Sequence, residues 1–108
     1  MIERIGMLFD QYRHERGVDP LRNHVVVCGV AAANSMLREI FFAPTNPNVG
    51  MTNEHDEVFT YKGVPVRLRF SCHAQMVYVM PTSEVPQRGC CDEVAMQTML
   101  VCLSRGHG

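Results

Sequence analysis

Residues 59 to 70, FTYKGVPVRLRF, constrain the fold of this 108-residue chain more than any other stretch. Two runs flank Lys62-Gly63, and a two-residue turn there predicts a β-hairpin. With that turn, Tyr61 faces Val64 and Phe59 faces Val66. Phe59, Tyr61, Val64, Val66, Leu68 and Phe70 then share one face. Pro65 falls where its missing N–H does not point at the hairpin partner. The opposite face carries Thr60, Arg67, Arg69 and Ser71. One face is core, and the other is solvated or touches a partner.

An isolated hairpin is marginal in water, so its apolar face needs cover. Residues 2 to 16 read as a helix, with Ile2, Ile5, Leu8, Phe9 and Tyr12 in one apolar stripe and Gly17 as its stop. HVVVC, residues 24 to 28, is β-branched and predicts a buried strand. Gly29 punctuates, and VAAANSMLREIFF then predicts a helix with Val30, Ala33, Leu37, Ile40 and Phe41 on one face. The competing reading of residues 24 to 42 is one continuous helix capped at Asp19 with Pro20 in its first turn. Residues 43 to 56, with two prolines, three asparagines and a glycine, predict a loop with no regular structure. QMVYVM, residues 75 to 80, is apolar on both faces and predicts a third strand that is covered on both sides or central in a sheet. Pro81 ends it. Residues 91 to 104 predict a helix, with Asp92 and Glu93 matching its N-terminal dipole and Arg105 and Gly106 suiting its end. Val94, Met96, Met99, Leu100, Val101, Cys102 and Leu103 make that helix apolar nearly all round. It is packed on the sheet or lies in a subunit interface. The fold expected is one small α+β domain spanning residues 1 to 108, with no repeats.

Apolar residues make up 46% and charged residues 19%, which is an ordinary globular balance. Net charge is −1 and the pI is about 6.5, so dominant attraction to nucleic acid or to an anionic membrane is not expected. No apolar run approaches the ~20 residues that span a bilayer. Charges spread through MIERIGMLFD do not make a secretory signal. Five cysteines, an odd set without framework spacing, predict free thiols in a reducing compartment. Eight methionines and no tryptophan suit gap filling and adaptable contact surfaces.

The chemistry-bearing residues are scattered. Cys72-His73 and Cys90-Cys91 are adjacent pairs, whereas structural zinc sites space each pair two to four residues apart. Cys28 could act as a nucleophile only if His24 or His73 came within hydrogen-bond reach. NEHDE, residues 53 to 57, gathers carboxylates and a histidine in what reads as a solvated loop. There is no phosphate-cradling glycine motif, no nucleophile elbow and no His-Glu-x-x-His pair. Lys62, Arg67 and Arg69 make a basic stripe on the hairpin's outer face, but the aromatics fall on the other face, unlike a single-strand-binding platform.

Strand HVVVC, helix VAAANSMLREIF, polar loop, the hairpin around Tyr61, Gly63, Val64, Pro65 and Val66, and MVYVMP together resemble a segment of tailed-phage proteins. The peripheral domain of the tailed-phage major capsid fold has a similar order, preceded by a long helix, and short phage proteins look alike over residues 24 to 81. The chain is shorter than a whole capsid subunit of that type. The resemblance therefore implies a reduced relative: an accessory virion protein, or a small phage factor in the host cytoplasm. It implies no catalytic residues and no cofactor.

The expectation is a non-enzymatic protein that self-associates or docks on a larger assembly, with a protein partner and/or a further copy of itself. The expected contacts are Lys62, Arg67 and Arg69 together with Val94, Met96, Met99, Leu100 and Leu103. The alternatives are a small cysteine/histidine enzyme or metal protein built on Cys28, His24, His73 or Cys90-Cys91, and a nucleic-acid or host-protein antagonist that uses the Arg67/Arg69 face.

Overall fold

A computed structural model describes residues 1–42, 45–52 and 57–85. In chain order these form α1 (Glu3–Arg16), β1 (His24–Cys28), α2 (Val30–Phe42), β2 (Val49–Gly50), β3 (Glu57–Tyr61), β4 (Val64–Leu68), β5 (Val77–Pro81) and a 3-10 turn (Thr82–Glu84). The five strands make one mixed sheet in the order β2-β3-β4-β1-β5. The α+β class expected from the sequence is the one observed. The helix expected at residues 91 to 104 lies outside the described residues.

The hairpin forms as its pattern dictates. Lys62 and Gly63 both take positive φ, 49° and 81°, as a type I′ turn requires. Phe59 pairs with Val66 and Tyr61 with Val64. A register shift between Glu57 and Phe59 brings Val58 into the core as well. Phe70 departs from expectation and is 56% exposed. β4 ends at Leu68, and the chain turns there: Arg69 N–H donates to the Cys28 carbonyl, and Cys72 N–H to the Arg69 carbonyl.

β1 and α2 take the strand-then-helix form, not the continuous helix. β1 runs parallel to β4 (Val26 opposite Val66, Cys28 opposite Leu68) and antiparallel to β5 along its full length. Gly29 sits at the joint. A Cβ there would run into the His73 carbonyl oxygen and lie 2.7 Å from Ala74 Cα. That close approach lets the 73–76 loop accept hydrogen bonds from the turn into α2: Gly29 N–H donates to the Met76 carbonyl and Ala32 N–H to the Ala74 carbonyl. The second satisfies one of the helix's orphan donors.

Both helices cover one face of the sheet. Ile2, Ile5 and Phe9 of α1 join Ala32, Ala33, Met36 and Leu37 of α2 over Val26, Cys28, Phe59, Tyr61, Val64, Val66 and Leu68. Phe9 meets Tyr61 edge-to-face, with centroids 5.9 Å apart. The buried face of α2 is rotated from the expected one: Ala32 and Met36 are buried, and Phe41 is half exposed. α1 ends at Gly17 in the left-handed conformation, with its N–H on the Arg13 carbonyl.

Two expectations are corrected. The 43–56 stretch is not wholly irregular, because Val49–Gly50 pairs with Tyr61 and Thr60 and extends the hairpin by a strand. An Asn46 side-chain turn prepares it, its Oδ1 accepting from Asn48 N–H. The third strand is an edge among the described residues, not central; Tyr78 is 38% exposed and Val79 is partly buried against the helices. Its two-sided apolar pattern does not mark two-sided strand pairing.

Gly29→Ala should lower the unfolding free energy by about 1–3 kcal/mol, since a backbone carbonyl would have to move to admit one methyl group. A urea midpoint equal to wild type would show that the joint is looser than described.

Candidate contact surface

The basic stripe does not survive as a continuous surface. Lys62 is exposed at the turn, with Nζ 6.0 Å from the Tyr61 ring centroid. Arg67 is only partly exposed and pairs with Glu57 at 3.7 Å across the β3–β4 ladder. Arg69 is buried at 3% exposure, and its Nη1 donates to the Leu68 carbonyl. Only Lys62 of the three lies open, because the chain turns at the end of β4 and folds Arg69 inward. Val94, Met96, Met99, Leu100 and Leu103 lie outside the described residues.

The candidate nucleophile is enclosed. Cys28 is fully buried on the helix side of β1, and its thiol donates to the Arg67 carbonyl at 3.6 Å. Loss of water around it, with a smaller effect of Cys72, pushes its pKa from 9.0 up to about 12. His24 is engaged elsewhere. Its Nδ1 faces the Arg22 carbonyl and must carry the proton, so Nε2 accepts from the Tyr12 hydroxyl at 3.0 Å. His73 is exposed, and its Nδ1 accepts from Gln75 N–H. The hydrogen bonds given for His24 and His73 thus go to groups other than Cys28. Cys90 and Cys91 lie outside the described residues. Among the described residues no group of three or more His, Cys, Asp and Glu could hold a metal, and no helix is long and apolar enough to cross a membrane.

The surface the structure offers instead lies where α1 begins and α2 ends. A groove of about 360 Å³ is lined by Ile2, Glu39, Ile40, Asn46, Val49 and Met51, among others. Glu39 organises it. Its carboxylate accepts from Ile2 N–H at 3.3 and 3.4 Å and from the amino group of Met1 at 3.1 Å. The cap residue Ile2 offers no side-chain oxygen of its own. A carboxylate from the neighbouring helix thus complements the N-terminal dipole of α1. Phe41 on α2 is 50% exposed and Met51 beside β2 is 60% exposed.

Sequence reasoning placed Phe41 in the core. Adjacent helical positions diverge by about 100°, so Phe41 and Phe42 cannot both point inward with Leu37. The Phe41-Phe42 pair was a legible sign that an aromatic would reach the surface.

A smaller groove of about 180 Å³ separates α1 from β5. Arg16 stacks over the Tyr12 ring there at 5.1 Å, and Tyr12 meets His24 edge-to-face. These groups satisfy one another within the fold.

No protein-family profile, no curated protein and no solved structure matches the chain.

Between pH 9 and about 12 the folded chain keeps the Cys28 proton that the unfolded chain releases. Stability contributed by this thiol is therefore complete below pH 9 and falls as pH rises through that window. Cys28→Ala should flatten this part of the urea-midpoint profile, and at pH 8 alkylation of Cys28 should require unfolding. Fast alkylation of native Cys28 would contradict this.

Proposed function

We propose that the chain is a non-enzymatic interaction protein that self-associates or docks on a larger assembly, of the phage or prophage type that residues 24 to 81 resemble. The phage part of the reading rests on that sequence resemblance. The interaction part rests on one observation: Met51, 60% exposed, lines a groove with Ile2, Ile40 and Val49, and Phe41, the residue after Ile40 in α2, is 50% exposed.

Fully burying a side chain of the size of phenylalanine or methionine yields about 1.5–3 kcal/mol. Association costs roughly 4–15 kcal/mol in lost freedom. One copy of this patch pressed on a featureless surface would bind weakly. Two copies facing each other about a twofold axis double the apolar area, because each supplies the same patch and the same groove. A second copy is therefore the occupant this reading favours. The enclosure of Cys28 and the separate engagement of His24 support a non-catalytic role over a thiol-based one. The retreat of Arg69 into the fold favours an apolar contact over the basic one expected from the sequence.

Light scattering at rising micromolar concentration should show a dimer or larger species. Phe41→Glu with Met51→Glu should shift it to monomer with little loss of thermal stability, since both side chains are largely outside the core. A wild-type chain that stays monomeric throughout, or a variant that associates unchanged, would overturn the self-association reading.

A further inference from the structure

The groove at the start of α1 and the end of α2 carries unlike charges on its two flanks. Glu3, in the first turn of α1, lines it from the helix side and is exposed. No cation among the described residues pairs with Glu3. The other carboxylate there, Glu39, is already engaged by Ile2 N–H and the amino group of Met1. Across the groove the lining passes to Asn46, Val49 and Met51. Lys62 stands beside that stretch. Its N–H donates to the Asn48 carbonyl at 2.7 Å, and Tyr61 before it pairs with Val49. Lys62 is exposed, and its ammonium lies 6.0 Å from the Tyr61 ring centroid. The patch therefore has apolar side chains between an acid on one flank and a base on the other.

We infer that two copies of the chain meet about a twofold axis running along this groove, so that each Lys62 lies against the partner's Glu3. The inference rests on the self-association reading and goes beyond it by fixing the orientation of the two copies. When a patch faces itself, the twofold axis can run along the groove or across it. An axis across the groove sets like flanks together, Lys62 against Lys62 and Glu3 against Glu3. Like charges held together cost binding energy and select against that arrangement. An axis along the groove exchanges the flanks. Val49 and Met51 then meet the partner's Ile2 and Ile40, and the charges form two ion pairs at the rim.

The division of labour follows from magnitudes. Exposed ion pairs add little affinity, so the apolar side chains hold the copies together. The charges decide the register, because only one of the two orientations satisfies them.

Dilution series followed by light scattering test this on the full chain, with Lys62→Glu, Glu3→Lys and their equimolar mixture. Each variant alone sets like charges at both contacts and should raise the half-dissociation concentration about tenfold. The mixture should return to the wild-type value, because in the mixed dimer both contacts again join unlike charges. Both positions are exposed, so each variant should melt close to wild type, which separates lost association from lost fold. Single variants that associate as wild type does, or a mixture no stronger than either variant alone, would overturn the orientation and leave self-association standing. A wild-type chain that is monomeric throughout would remove self-association, and this orientation with it.

Discussion

Strand β1 is bonded along both edges and apolar on both faces, and the rest of the molecule is arranged around that fact. Its parallel partner β4 fixes where the hairpin lies, and its antiparallel partner β5 fixes where the chain returns. A parallel neighbour cannot be reached by a tight turn, so the chain crosses over through α2 and returns to β4 by way of β2 and β3. Gly29 makes the crossover compact by letting the 73–76 backbone press against the joint. Three consecutive valines serve this position well, since branched side chains fill both sides of a pleated strand.

The same arrangement sets the surroundings of Cys28 and His24. Placing Cys28 at the end of β1 buries the thiol that might have reacted, and the loss of water around it keeps its proton on. His24 at the other end of β1 is tied to Tyr12 of α1 and to the Arg22 carbonyl. Among the described residues, a groove of mixed polar and apolar lining sits where α1 begins and α2 ends, with Glu39 bridging them.

The parts of the fold governed by short-range rules could be read from the sequence. The Lys62-Gly63 turn set the hairpin register residue by residue, and Gly17 stopped α1 where it stands. The parts governed by the third dimension could not. QMVYVM is apolar on both sides, yet β5 is an edge among the described residues and only Val77 of it is buried, because an apolar pattern does not say how many strands flank it. Arg67 and Arg69 looked like an outward stripe, since alternation specifies a face without specifying what lies against it. The two-residue strand Val49–Gly50 is too short for any period to announce it. The groove was invisible for the same reason. Its walls come from three separate segments, and only Phe41-Phe42 hinted that the end of α2 stays open.

Native-state hydrogen exchange, followed amide by amide, tests the central role of β1 most directly. If the molecule is built around this strand, the Val25, Val26 and Val27 amides should exchange only through global unfolding, with a protection free energy equal to that from urea denaturation. Amides of β2 and the outer part of β3 should open earlier. β1 amides that exchange through a local opening while β3 and β4 stay protected would contradict the account.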